Sequence, residues 1–153
     1  MNPEIENRYK ALLSRLHAEV LKPMGFKKEG SNFRQFQSDG LCRIINFQRS
    51  AWNSDDECRF CINIGIYYER QTPVTNRKFK EYECLIRTRA SGISSNPLHK
   101  GDCWWSVFES RDMDKLFEEL KMLLLDDVMP WFEQVPARKD AVSRYGFRFH
   151  YHL

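Results

Sequence analysis

Two stretches decide the fold of this chain: Ile44-Ile45-Asn46-Phe47-Gln48-Arg49 and Ile62-Asn63-Ile64-Gly65-Ile66-Tyr67. Both alternate apolar and polar residues, as paired strands do, because successive side chains of a strand point to opposite faces. The isoleucines and the phenylalanine predict a buried face. Asparagine is a poor strand former, so hydrogen bonding is expected on the opposite face, which carries Asn46, Gln48 and Asn63.

Length and composition predict one ordinary domain. The chain has 153 residues, of which 42% are hydrophobic and 14% aromatic, which excludes a disordered chain. A net charge of +3, with acids and bases interspersed, does not predict nucleic-acid binding, which needs a concentrated basic stripe. The sequence shows neither an export signal nor an apolar run of the ~20 residues that cross a bilayer. We therefore expect a cytoplasmic protein with no membrane partner.

The cysteines predict reduced thiols rather than a cofactor site. There are five of them, an odd number, in a chain with no export signal. Cys58 and Cys61 have the C-x-x-C spacing of metal and redox sites. In a strand, however, this spacing places the two sulfurs on opposite faces. We therefore predict no metal, no redox site and no cofactor.

The order of the predicted elements is helix, meander, helix. Helical spacing of apolar residues predicts helices over 3–22 and 112–128. Alternation predicts the strands 32–37, 41–49, 58–69, 82–89 and 104–108, with a hairpin turn at 38–40. This pattern predicts an α+β fold over 1–137: an antiparallel meander of five or six strands with two long helices packed on one face.

The C-terminal segment 138–153 is predicted to be an extension of this domain. Its aromatic residues alternate with basic ones, which predicts a strand over 144–152. An exposed aromatic row is an aggregation risk, so we expect this strand to pack on the domain or on a neighbouring subunit. A homodimer assembled through it is one alternative function. His150 and His152 share a face of this strand, but two imidazoles do not make a metal site.

The polar face of the sheet is the candidate binding site. Amides offer donors and acceptors, arginine binds carboxylate or phosphate through paired hydrogen bonds, and tryptophan offers a flat wall. We therefore predict non-catalytic binding of an acidic protein, a peptide or a small anion. The predicted ligand-binding residues are Asn46, Gln48, Asn63, Tyr67, Arg87, Arg89 and Trp104. Alternatively, the C-terminal segment or the loop 70–81 covers this face, and the amides then bond to backbone groups.

No catalytic motif accompanies this pattern. The sequence contains no G-x-S-x-G, no phosphate-binding glycine loop and no H-E-x-x-H. The acidic pairs 118–119 and 126–127 are expected on the solvent side of the second helix, where they cannot act together. We therefore do not expect an enzyme, and one catalytic alternative is left open: a hydrolase that uses Cys103 with His99.

Besides the two stretches quoted first, five short motifs stand in a fixed order along the chain: Gly25-Phe26-Lys27-Lys28, Trp52-Asn53, Ile86-Arg87-Thr88-Arg89, Trp104-Trp105 and Pro130-Trp131-Phe132. Together they resemble a bacterial family called domain of unknown function 4304. The resemblance covers roughly residues 5 to 133 and excludes the C-terminal segment. It implies the fold and a bacterial cytoplasmic protein, but no activity and no catalytic residue.

Overall fold

The computed structural model describes residues 2–38, 40–51, 53–69, 77–99 and 104–134.

The N-terminal helix has the predicted extent. Helix α1 spans Pro3–Leu16 and continues as a π-helical turn, His17–Leu21. The side chain of Asn2 caps it by accepting a hydrogen bond from the Glu4 N–H at 2.8 Å, and Pro3 occupies the first helical position, where its missing N–H costs nothing.

The strands form one antiparallel sheet, which confirms the predicted α+β meander. In the described residues they are β1 Lys27–Glu29, β2 Asn32–Gln35, β3 Leu41–Arg49, β4 Glu57–Tyr68, β5 Ile86–Arg89 and β6 Trp105–Phe108. Their order is β1-β2-β3-β4-β5, and β6 also pairs with β4. Because β4 is 12 residues long, β5 pairs with one half of its outer edge and β6 with the other half.

Two strand predictions need correction. β1 was not predicted, because three exposed charged residues carry no apolar alternation. The predicted strand 82–89 begins only at Ile86, because Glu81–Glu83 forms a 3-10 turn before it. The Lys80 N–H donates to the Glu83 carboxylate at 3.0 Å, which stabilises this turn against an extended strand.

The second helical region consists of three consecutive segments. Helix α2 spans Met113–Met122, a π-helical turn covers Leu123–Val128, and α3 spans Met129–Gln134. Pro130 lies in the first turn of α3, directly after the π-helical turn, where the hydrogen-bond register already changes. The helix therefore continues through this proline. The predicted extension 138–153, with its strand over 144–152, lies outside the described residues.

Both helical regions cover the isoleucine face, as predicted; we call it the helix face. Register pairs β3 Ile45 with β4 Ile64, and Phe47 with Ile62. The core on this face combines these side chains with the buried residues of α1, α2 and α3. Phe60 stacks on Phe47 at 5.7 Å between ring centroids, and this aromatic contact joins the sheet strands beneath the helices.

The opposite face, which we call the second face, is divided in two. One half carries a small second core under the segment 77–85, composed of Cys42, Ile44, Tyr67, Phe79 and Cys84 with Phe36 at its edge. The Phe79 ring lies 4.3 Å from the Tyr67 ring at 10° between planes, and the Arg34 Nε donates to the Phe79 carbonyl at 2.9 Å. The other half, which we call the amide half, carries Cys61 and four amide side chains: Asn32, Asn46, Gln48 and Asn63.

Gly65 lies where the second core approaches the sheet most closely. A Cβ at this position would stand 2.8 Å from the Cys84 Sγ and 2.9 Å from its Cβ. We expect Gly65→Ala to lower the free energy of unfolding by about 1 to 3 kcal/mol, measured by urea denaturation, because overpacking a buried contact forces neighbouring atoms to move. The same substitution in a Cys84→Gly background should cost less. An equal cost in both backgrounds would show that this contact is not the cause.

Candidate functional site

A chain of amide hydrogen bonds crosses three strands on the amide half. Asn46 and Asn63 are register partners, and the Asn63 Nδ2 donates to the Asn46 Oδ1 at 3.1 Å and to the Gln48 Oε1 at 2.9 Å. The Asn46 Nδ2 donates in turn to the Asn32 Oδ1 at 2.8 Å. Asn63 is 6% exposed, and burial of an amide costs little when its hydrogen bonds are made. The amides therefore satisfy one another rather than the backbone groups that the covered-face alternative assigned to them.

The direction of these bonds determines what the network offers to a ligand. Asn32 and Gln48 stand at its two ends, and both use their side-chain oxygens as acceptors within it. Within the described part of the chain, the Asn32 Nδ2 and the Gln48 Nε2 donate to no acceptor. Gln48 is exposed and Asn32 half-buried. The network therefore presents N–H donors outward at both ends.

Two arginines and a tryptophan lie on the side of the network where Asn63 is buried. Arg89 is the register partner of Asn63 on β5. Its guanidinium lies 5.2 Å from the centre of the Trp104 ring, and that of Arg59 lies 5.9 Å from the same centre. The Arg59 side chain is 49% exposed, with the Glu57 carboxylate 3.9 Å from its Nε. Cationic and aromatic groups thus meet beside the amides.

Five of the predicted site residues come together here, but Tyr67 and Arg87 lie apart from them. Tyr67 is 1% exposed and belongs to the second core. The Arg87 Nε lies 3.4 Å from a carboxylate oxygen of Glu81, and its Nη1 donates to the Tyr82 carbonyl at 3.2 Å. The structure adds Arg59, which the strand alternation could have found, since 59, 61 and 63 share one face. Asn32 could be found only from the register of β2 on β3.

A second polar cluster joins the loop 90–99 to α2. The His99 Nε2 lies 2.8 Å from the Glu119 Oε1, and its Nδ1 lies 2.7 Å from the Ser94 Oγ. The same Glu119 oxygen accepts from the Trp105 Nε1 at 3.2 Å, and its other oxygen accepts from Arg111 at 3.5 Å. The prediction that Glu119 decorates the solvent side of its helix was therefore wrong, because this carboxylate faces the loop and β6.

The Ser94–His99–Glu119 chain has the residue types of a hydrolase triad but not the surroundings. The Ser95 N–H donates to Asp127 at 3.1 Å, and the Asn96 N–H donates to the Ser94 Oγ at 3.1 Å. Neither N–H is therefore left to stabilise an oxyanion. The adjoining cavity holds only about 90 Å³, well below the roughly 300 Å³ at which small-molecule sites begin. This cluster binds the loop to the helix.

The catalytic alternative with Cys103 stays a prediction, since Cys103 lies outside the described residues.

The buried thiols are poor nucleophiles and poor metal ligands. Burial, with Glu69 nearby, raises the pKa of Cys42 to about 12, and burial raises the pKa of Cys84 well above its ordinary value. Cys58 lies in the helix-face core, and the Cys61 Sγ lies 3.9 Å from the Gln48 Oε1 on the second face. The two sulfurs of the C-x-x-C pair therefore lie on opposite faces of β4, as predicted. No metal-ligating cluster is found among the residues the structure describes.

The fold and this site define an α+β protein whose sheet is covered by helices on one face and carries a flanked amide network on the other. The family model "Domain of unknown function (DUF4304)" matches residues 17–134, and the chain belongs to this family. The match extends from the end of α1 to the end of α3 and includes every described strand. Comparison with curated proteins and with solved structures gave no match. None of the described helices combines the length and apolarity of a membrane span.

Proposed function

We propose that the amide half, with Arg59, Arg89 and Trp104 beside it, binds an acidic segment of a partner protein or peptide without catalysis. One observation carries this proposal: the amide network leaves the N–H donors of Asn32 and Gln48 unused, and Arg89, the register partner of Asn63 in that network, lies with Arg59 around the Trp104 ring. Donors and cations together favour a ligand that brings negatively charged acceptors. A carboxylate is such a ligand, and small anions share its chemistry.

Arg59, Arg89 and Trp104 favour a ligand whose negative charge is a side-chain carboxylate. Arginine presents paired N–H groups that match the two oxygens of a carboxylate. The half-buried Trp104 ring offers an apolar surface beside these cations. A peptide in which apolar and acidic residues are neighbours would use both. The second core limits the site to the amide half, so Tyr67 and Arg87 have no part in it.

Fluorescence polarisation with a labelled hexaglutamate peptide tests the proposal. We expect saturable binding that weakens as salt is added, and no comparable binding of labelled hexalysine. Arg59→Ala and Arg89→Ala should each weaken binding by about tenfold or more, since a hydrogen bond to a charged group contributes about 1.5 to 3 kcal/mol. Arg87→Ala is the matched control, because Arg87 lies on the same strand as Arg89 but outside the site.

Three results would contradict the proposal. Hexaglutamate and free citrate could both fail to bind the wild type at millimolar concentration. Hexalysine could bind as well as hexaglutamate. Arg87→Ala could weaken binding as much as Arg89→Ala does, which would point to general charge rather than to a site. Thermal unfolding of each variant separates lost binding from lost folding.

A further inference from the structure

A cleft of about 600 Å³ lies where α1, the β1–β2 turn and the end of β3 meet. It exists because β3 is longer than β2: the register ends with Asn32 opposite Asn46, and β3 continues to Arg49. The Phe47 N–H makes one last bond, to the Ser31 carbonyl at 2.9 Å, before the two segments part. This volume falls in the range of about 300 to 1,000 Å³ typical of small-molecule sites.

The floor of the cleft is apolar and its rim is polar. Three buried side chains from the helix-face core form the floor: Tyr9, Leu13 and Phe47. Hydroxyl- and ammonium-bearing residues surround them: Lys10, Ser14, Lys28 and Ser31. Two of the three floor residues are aromatic, so a flat apolar ligand could lie against them. The arrangement is that of a site with an apolar interior and a few orienting polar groups.

The charges around the cleft favour an anion. Arg49 stands at one wall, and Glu6 accepts from both of its terminal nitrogens, at 2.8 and 2.9 Å. The Arg49 guanidinium lowers the pKa of the Glu6 carboxyl, so this pair stays ionised and balanced. The Lys10 Nζ also lies 3.4 Å from Glu6. Lys28 is exposed and has no carboxylate partner among the described residues, which leaves the rim with a net positive charge.

We infer that this cleft binds a small aryl carboxylate: an aromatic body on the Tyr9, Leu13 and Phe47 floor, with its carboxylate at Lys28 and the neighbouring hydroxyl groups. The ligand needs an apolar ring to use the floor and one negative charge to use the rim. Asn46 and Gln48 border this cleft as well as the amide half, but Arg59, Arg89 and Trp104, the charged and aromatic groups proposed to bind acidic peptides, do not line it.

Isothermal titration calorimetry with 1-naphthoate tests this inference on the full chain. We expect saturable binding, and binding at least about tenfold weaker for 1-naphthamide, which has the same ring without the charge. Lys28→Glu should weaken naphthoate binding by about tenfold or more, because it replaces attraction with repulsion at the rim. Lys27→Glu is the matched control. Lys27 precedes Lys28 in β1, so its side chain points to the other side of the strand, and it does not line the cleft.

A second variant tests the space itself. Ser14 is exposed on α1, so Ser14→Trp should fold and fill the cleft, abolishing naphthoate binding. Arg89→Ala should leave naphthoate binding unchanged while it weakens hexaglutamate binding, which distinguishes failure of one site from failure of the other. No binding of naphthoate, equal binding of the amide, or equal effects of Lys27→Glu and Lys28→Glu would each overturn the inference. If Ser14→Trp unfolds, the two lysine variants decide the question.

Discussion

Phe79→Ala is expected to lower the free energy of unfolding by about 3 to 5 kcal/mol, the usual cost of truncating a buried phenylalanine. Phe79 is fully buried, stacks on Tyr67 at 4.3 Å and meets Phe36 edge-on at 5.8 Å. It is the large side chain that the segment 77–85 contributes to the second core. For a domain of this size the loss corresponds to a decrease in Tm on the order of 10 °C, which calorimetry would measure.

The control for this experiment is Tyr82→Ala, in the same segment. Tyr82 is 65% exposed, so its truncation should change stability by no more than about 0.5 kcal/mol. Removing Phe79 should also open the second core to reagents, and the thiols of Cys42 and Cys84 should then react faster with a thiol-labelling reagent. Equal stability of the Phe79 and Tyr82 variants would mean that the second core contributes little to the fold.

Glu119→Leu is expected to lower the free energy of unfolding by about 2 to 4 kcal/mol. The substitution leaves the buried His99 and the Trp105 indole N–H without their shared acceptor, and each unsatisfied buried donor costs about 1 to 3 kcal/mol. Glu119 is itself 34% exposed, and water will recover part of this loss. Urea denaturation measures the change. Glu119→Gln, which keeps a side-chain oxygen, should cost less.

Glu118 provides a matched control on the same helix. It is exposed, and neither a hydrogen bond nor an ion pair involves it among the described residues, so Glu118→Leu should be close to neutral. A double-mutant cycle between Glu119→Leu and His99→Ala should give a coupling of about 1 kcal/mol or more, since each substitution removes the partner of the other. Similar losses of unfolding free energy for Glu118→Leu and Glu119→Leu, or additive effects in the cycle, would contradict the conclusion that Glu119 and His99 hold the loop 90–99 on α2.

The centre of the sheet could be predicted because its signal is local and periodic. Alternation along β3 and β4 assigns Ile45 and Ile64 to one face and Asn46 and Asn63 to the other, and the structure pairs Ile45 with Ile64 and Asn46 with Asn63. The pairing follows from burial of one face, because a slip of one residue would turn every isoleucine to the other side. The amide network is a direct consequence of that register.

The alternative in which the loop 70–81 covers the second face is right for one half, which Phe79 covers, but the division into two halves could not be predicted in the same way. Its covered half depends on Phe79, a single aromatic residue in a polar segment with no periodicity. The contact of Glu119 with the loop 90–99 could not be predicted either. Glu118 and Glu119 look alike in the sequence, and the histidine that distinguishes them lies 20 residues away. Contacts between distant segments, rather than local pattern, decide both cases.

The margins of the sheet have a consequence for solubility at high concentration. One margin is β1, whose three residues, Lys27, Lys28 and Glu29, are all exposed and charged. The other margin is divided between two strands of four residues, β5 and β6. Along the strands that the structure describes, a strand from another molecule would find charge on one side and no long uninterrupted edge on the other, and both features oppose fibre growth. These margins therefore allow the sheet to carry the polar side chains of the amide half without offering a template for self-assembly.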